Sequence, residues 1–223
     1  DAIAAATYRL TEILAGKLGE MDRAQEMLKE VLERRPDDVH GILSLADVYE
    51  ARGDEGAMRL MLQRAAGLAP QGQEGAALQL RLSSLSDDPD AQRVHLEQAL
   101  GLDPSNAVAA ARLLELSRKS EAWDRVAYLL ELSASRADDP AERRRLTLER
   151  TDVLAYRLGD ANSALRVLAG VYEQVSDDMD INARIADLLF RVGQLGEAAG
   201  MYRWLVETEG AKNARSKSLA LYL

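Results

Sequence analysis

The chain predicts an all-α fold, about six stacked helical hairpins followed by a single helix, and three observations carry that expectation. Pro36, Pro70 and Pro104 fall on one even step of 34, and the same step separates two glycine pairs, Gly19 with Gly53 and Gly159 with Gly193. Between these marks apolar residues recur every three or four positions, as in Ile13, Leu14, Leu18, Ala24, Met27, Leu28, Val31 and Leu32. No segment alternates with period two. A constant step of this length with helical amphipathicity inside it describes a row of hairpins, each covering its neighbour's apolar face, not one globular core.

The elements follow from the breakers. The first hairpin, about 1–36, pairs helices at 2–17 and 22–35, with Gly19 able to take the left-handed conformation that closes a helix. The second, 37–70, pairs 38–51 with 55–68 across Gly53. The third, 71–104, pairs 72–85 with 89–102; Pro89 occupies a first turn that needs no amide donor. The fourth, 105–139, pairs 105–119 with 121–136 and holds an insertion, since the step from Pro104 to Pro140 is two longer than the others. The fifth, 140–176, pairs 140–158 with 161–175, and the sixth, 177–210, pairs 178–192 with 195–209. Residues 211–223 remain as a lone helix. Asp37-Asp38, Asp87-Asp88, Asp138-Asp139 and Asp177-Asp178-Met179-Asp180 all precede helices, where carboxylates accept orphan amide protons and oppose the helix dipole.

These hairpins resemble the tetratricopeptide repeat. In that family a large residue, a small one and an aromatic on the first helix are followed by an alanine, a bulky residue and a proline around the second. The second hairpin has Ile42, Leu45, Ala46, Tyr49, Gly53, Leu62, Ala65 and Pro70; the sixth has Ile185, Ala186, Leu189, Gly193, Ala198, Tyr202 and Leu205. The fifth keeps Gly159, Ala164, Leu168 and Val171, with Asp152 at the small-residue place and Ser176 at the proline place. Glu12, Leu80 and Leu114 stand at the small-residue place in the first, third and fourth copies, and in the first and third a one-residue slip of register is open. The resemblance implies one continuous right-handed α-solenoid over residues 1–223. Ala220 lies one further repeat step after Ala186, so 211–223 reads either as half of a further hairpin in a longer array or as a capping helix. Ending on Ser218-Leu219-Ala220-Leu221-Tyr222-Leu223, it is expected to be apolar enough to self-associate. Arginine far outnumbers lysine, which fits a GC-rich bacterial source.

Composition narrows the function. With 37 acidic and 28 basic side chains the formal charge is −9, and there are two Trp, seven Tyr and one Phe. An acidic chain with few aromatics is a poor match to nucleic acid, whose binding relies on cations and stacking platforms. No run approaches the roughly 18 apolar residues of a membrane span, and no secretion-signal pattern opens the chain. The absence of cysteine excludes disulfides, thiolate catalysis and cysteine-bound zinc. A cytoplasmic location is expected, with the periplasm left open. His40 and His95 belong to different hairpins and cannot be expected to share a metal, and no phosphate loop, nucleophile elbow or zinc motif occurs. Arg143-Arg144-Arg145 would fan out around a helix by about 100° each, so it makes no single basic surface. The expectation is a chain without catalysis or cofactor.

The remaining candidate surface is the inner face that the resemblance assigns to the first helices. His40, Leu43, Asp47 and Glu50 share one helical face of the second hairpin, and successive repeat steps lead to Arg81 with Ser84 and to Glu115 with Arg118. The fifth and sixth hairpins add Val153 with Tyr156, and Asp187 with Phe190. Family members that grip a free C-terminal carboxylate use asparagine and lysine there; Asp47, Glu115 and Asp187 occupy the asparagine places and would repel such a tail. The partner expected for Asp47, Glu50, Arg81, Glu115, Arg118, Tyr156, Asp187 and Phe190 is therefore a protein or peptide with basic and apolar elements. The reading is a protein-interaction scaffold. The alternative is the recognition arm of a larger enzyme or of a secretion or assembly machine.

Overall fold

The computed structural model describes residues 2–68, 71–172 and 178–220, with side chains described at 5–68, 71–170 and 178–209. Pro70 and Ser176 lie outside the described residues, as do 221–223 and the side chains of the apolar C-terminal end. Among the described residues there are twelve α-helices and no strand. They are α1 (Ala2–Ile13), α2 (Met21–Arg34), α3 (Val39–Arg52), α4 (Glu55–Leu68), α5 (Gln73–Ser84), α6 (Pro89–Leu102), α7 (Ala107–Lys119), α8 (Trp123–Arg136), α9 (Pro140–Asp152), α10 (Ala161–Tyr172), α11 (Met179–Arg191) and α12 (Leu195–Ala220). No described helix is long and apolar enough to cross a membrane.

Caps set many of these boundaries. The second aspartate of each pair does the capping: Asp38 accepts from the Gly41 amide, Asp88 from Asp90 and Ala91, Asp139 from Ala141, and Asp178 from Asp180 and Ile181. Pro89 and Pro140 take the first helical positions, where their missing N–H costs nothing. Gly19, Gly53, Gly159 and Gly193 close first helices at φ between 70° and 82°, a region in which a β-carbon would be strained.

The chain divides into two compact units, residues 1–116 and 117–223. In the first, each helix from α1 to α6 packs on the next, and Leu14, Ala24, Leu28, Ile42, Leu45, Ala46, Leu62 and Ala65 form one buried cluster. In the second, each helix from α8 to α12 packs on the next, with Ala155, Ala164, Leu168 and Leu188 in its core. The small residues Ala46, Ala65, Ala186 and Ala198 are all buried, as close helix approach requires. The pattern recurs down the chain. Gly41, Ile42, Leu45 and Ala46 are buried on α3, and two repeat steps further on so are Ala109, Ala110, Leu113 and Leu114.

Three first helices depart from the expected register, α5 by burying Gln79 while Leu80 is only half-buried, and two others through a change of helix type. After α1 and after α9 the backbone widens into single π-helical turns, Leu14–Leu18 and Val153–Arg157. The register has shifted by one residue: Thr11 and Thr151 are buried at the small-residue place, while Glu12 is exposed and Asp152 half-exposed. The cause is a count. Thr11 to Gly19 and Thr151 to Gly159 are each one position longer than Ala46 to Gly53 or Ala186 to Gly193. That surplus residue must be absorbed before the closing glycine, and a π-turn absorbs it. Each buried threonine hydroxyl is satisfied locally, Thr11 donating to the Tyr8 carbonyl and Thr151 to the Thr147 carbonyl, both at 2.9 Å.

The C-terminal helix is also different from expectation. No break separates 195–209 from the described part of the expected lone helix: α12 runs unbroken from Leu195 to Ala220. A glycine inside a helix costs about 1 kcal/mol relative to alanine. No proline follows Gly210 to enforce a stop.

Candidate interaction site

Residues about one repeat step apart in sequence meet across neighbouring first helices. On α3 and α5, Arg81 donates to Asp47 at 3.0 Å and to Glu50 at 2.9 Å, so three of the expected strip residues form one ion cluster. Between α9 and α11, the Tyr156 hydroxyl donates to Asp187 at 2.7 Å, and Arg191 donates to the same oxygen at 2.9 Å while its guanidinium lies 4.6 Å over the Tyr156 ring. Arg184 pairs with Asp152, and Arg118 with Glu149. The acidic excess of the strip is therefore largely answered by the chain's own arginines. Exposed pairs of this kind are worth about 0–1 kcal/mol each, so a ligand can exchange them cheaply.

Not every expected strip residue faces solvent. Leu43 packs against the core and Val153 is buried in the π-turn. Glu115 is exposed on α7, Ser84 returns its hydroxyl to the Arg81 carbonyl, and Phe190 is left 59% exposed. The three consecutive arginines diverge as helix geometry demands: Arg143 donates to the Ala137 carbonyl, Arg144 to Asp178 and Arg145 to Glu142. His95 is engaged with Gln79 at 2.8 Å, and the Trp123 ring lies under the Arg157 guanidinium at 4.7 Å. Among the described residues no group of three or more His, Asp or Glu gathers as a metal ion would need.

A concavity of the first unit lies between α1 and α3, with a volume of about 1030 Å³. Tyr8, Arg9, Glu12 and Gly16 line it from α1 and its π-turn; His40, Ser44, Asp47 and Ala51 line it from α3. At its end Tyr8 donates to Asp38 at 2.6 Å and meets the His40 ring edge-on at 4.5 Å. Gly41 permits this contact, because a β-carbon there would sit 3.1 Å from the Tyr8 hydroxyl. Burial, then the Asp38 hydrogen bond, push the Tyr8 hydroxyl up to about 12. Burial works against the Asp38 charge, but the Tyr8 hydroxyl, the Gly41 amide and Arg35 outweigh it and hold Asp38 below the usual carboxylate range.

The pH consequence has two limbs. A depressed carboxylate stabilises the fold above its unfolded value and loses that contribution as pH falls through the folded one; a raised phenol contributes below about pH 10 and loses it as pH climbs toward 12. Tyr8→Phe should cost about 1–2 kcal/mol, the upper end of a hydrogen bond to a charged group being reduced here by partial exposure. It should also flatten stability between pH 10 and 12 and shrink the acid limb. Urea denaturation of both proteins across pH reads this directly, and identical alkaline limbs would show that the Tyr8–Asp38 bond contributes nothing.

A second concavity, of about 560 Å³, lies between α9 with its π-turn and α11, lined by Glu149, Asp152, Val153, Tyr156, Arg157 and Arg184. It is the counterpart of the first. Adding 140 to each position carries Leu14-Ala15-Gly16-Lys17-Leu18-Gly19-Glu20 onto Leu154-Ala155-Tyr156-Arg157-Leu158-Gly159-Asp160. The geometry repeats as well: the Glu20 amide reaches the Leu14 carbonyl at 2.9 Å, and the Asp160 amide reaches that of Leu154 at 2.8 Å. Glu12 and Gly16 enter the site through this surplus residue, and Ser44 and Ala51, likewise absent from the strip expected on simple repeat steps, line it from α3. The signal was available in the doubled Leu-Ala-x-basic-Leu-Gly-acid run.

Fold and surface together define a class: a protein of stacked helical hairpins whose first helices present a polar, partly aromatic face. The family model of the tetratricopeptide repeat matches residues 13–38. Among curated proteins no relative is detected. Similar solved structures include Naa15/Naa10 bound to HypK-THB, at 18% identity and TM-score 0.48; this chain is covered over 89% but spans only 30% of that one. A tetratricopeptide repeat protein from Parabacteroides merdae ATCC 43184 gives 13% identity and TM-score 0.49, covering 91% of this chain and 80% of its own. YrrB, a TPR protein with an unusual peptide-binding site, gives 15% and 0.46, with 85% and 91% covered. At these values the likenesses add nothing to what the hairpins and the family model already carry.

Proposed function

We propose that the chain is a non-catalytic scaffold that binds a protein or peptide with basic and apolar elements on the face of its first helices. The observation that carries this reading is the α1–α3 cleft of about 1030 Å³, which opens on the same face as Asp47, Glu50 and Arg81. Its size suits a few side chains of an extended peptide. Asp47, Glu50, Arg81 and Glu115 serve this face in the first unit, and Arg118, Tyr156, Asp187 and Phe190 serve the second unit's own first-helix face. The internal ion pairs act as exchangeable partners, with Arg81 giving up Asp47 or Glu50 to an incoming cation, and exposed Phe190 provides an apolar anchor.

The test is selection of a displayed random-heptapeptide library on the full chain, followed by affinity measurement with the best synthetic peptide. Enriched peptides should combine basic and apolar residues, and Asp47→Asn with Glu50→Gln should weaken binding at least fivefold. Charge reversal is a poorer choice, because lysines at 47 and 50 would face Arg81. Unchanged affinity in the neutral double variant would move binding off this face.

A further inference from the structure

The two equivalent clefts are occupied differently. In the second unit Tyr156 and Arg184 line and narrow the space between the α9 π-turn and α11, with Arg191 stacked on the Tyr156 ring; in the first unit their equivalents are Gly16, Ser44 and Ala51. A β-carbon on Gly16 would meet nothing within 4 Å, and the first cleft is nearly twice the volume of the second. The acceptors of the narrower site persist in the wider one. Asp187, which receives the Tyr156 hydroxyl, corresponds to Asp47, and Asp152, which pairs with Arg184, corresponds to Glu12.

We infer that the α1–α3 cleft takes an extended peptide presenting an aromatic and an arginine side chain, which occupy the places that Tyr156 and Arg184 fill in the second unit. This rests on the reading of the first-helix face as a peptide site and specifies what that site selects. The aromatic ring lies over Gly16 and, where it is tyrosine, donates its hydroxyl to Asp47. The guanidinium pairs with Glu12, which is exposed and has no ion-pair partner among the described residues. Arg9 stands where the second unit has Glu149 and is placed to donate to a main-chain carbonyl of the peptide. Charge and shape agree on this occupant. An acidic side chain would meet Glu12 and Asp47, and a small apolar one would leave the space over Gly16 unfilled.

The experiment uses the same random-heptapeptide selection on the full chain, with two variants chosen on opposite principles. Gly16→Tyr installs the ring that the second unit already carries, and Glu12→Lys reverses an exposed charge. Enriched peptides should pair arginine with tyrosine, phenylalanine or tryptophan, and the best of them should bind each variant at least tenfold more weakly. Circular dichroism shows whether Gly16→Tyr remains folded; where it does not, Glu12→Lys decides. Peptides that lack the pair, or whose affinity neither variant changes, would overturn the aromatic–arginine site and leave the wider face standing. Enrichment of no peptide over bare support would overturn both.

Discussion

Truncating Leu28 to alanine is expected to cost about 2–5 kcal/mol of unfolding free energy, the range for deleting a fully enclosed leucine when its surroundings relax only in part. Leu28 is wholly buried in a cluster with Leu14, Ala24, Leu32 and Ile42, all apolar and in contact within one hairpin and its neighbour. Leu168 is its equivalent in the second unit, equally buried and clustered with Ala155, Ala164 and Leu188. The same truncation there should cost a comparable amount. Equilibrium urea denaturation of the two variants measures both, with hydrogen exchange locating the loss in the mutated hairpin and those packed on it, because stacked hairpins are stabilised chiefly by their neighbours. A cost under about 1 kcal/mol at either site would contradict the packing.

The second large effect runs in the opposite direction of size. Ala46 and Ala186 are fully buried in the helix packing, and replacing either by leucine should cost about 1–3 kcal/mol through overpacking. Thr11 and Thr151 make a discriminating pair of controls. If they hold the small-residue place, then leucine at 11 or 151 should be costly in the same way, whereas leucine at exposed Glu12 should be nearly neutral. Denaturation midpoints for these variants read the register directly. Equal tolerance at 11 and 12 would show that the π-turn register is wrong.

Much of the site was legible along the chain and some was not, for reasons visible at particular residues. The repeat step puts Asp47 opposite Arg81 because one repeat advances the chain by one first helix, so their meeting follows from spacing. The same step fails at Glu12 and Asp152, where one surplus residue turns the helix face and brings a neighbouring threonine inward. Gly16 and Tyr156 look unrelated on the single-repeat period and become equivalents only when the two surplus-bearing hairpins are aligned with each other. The charges read along the strip were mixed with a modest acidic excess, and only the structure shows that Asp47 and Glu50 are paired by Arg81 and Asp187 by Arg191.

By itself the sequence determined the helices, their caps and the hairpin period. Those depend on residues one to four positions apart, on aspartates that accept amide protons and on glycines that tolerate positive φ, all local matters. Tertiary structure decided which first-helix residues pair, that the surplus residue of two of those helices is absorbed as a π-turn, and that one of two equivalent clefts is narrowed by large side chains while the other is wider. Such outcomes depend on how an inserted residue is absorbed and on what faces it across the neighbouring helix, a register that local spacing leaves undetermined.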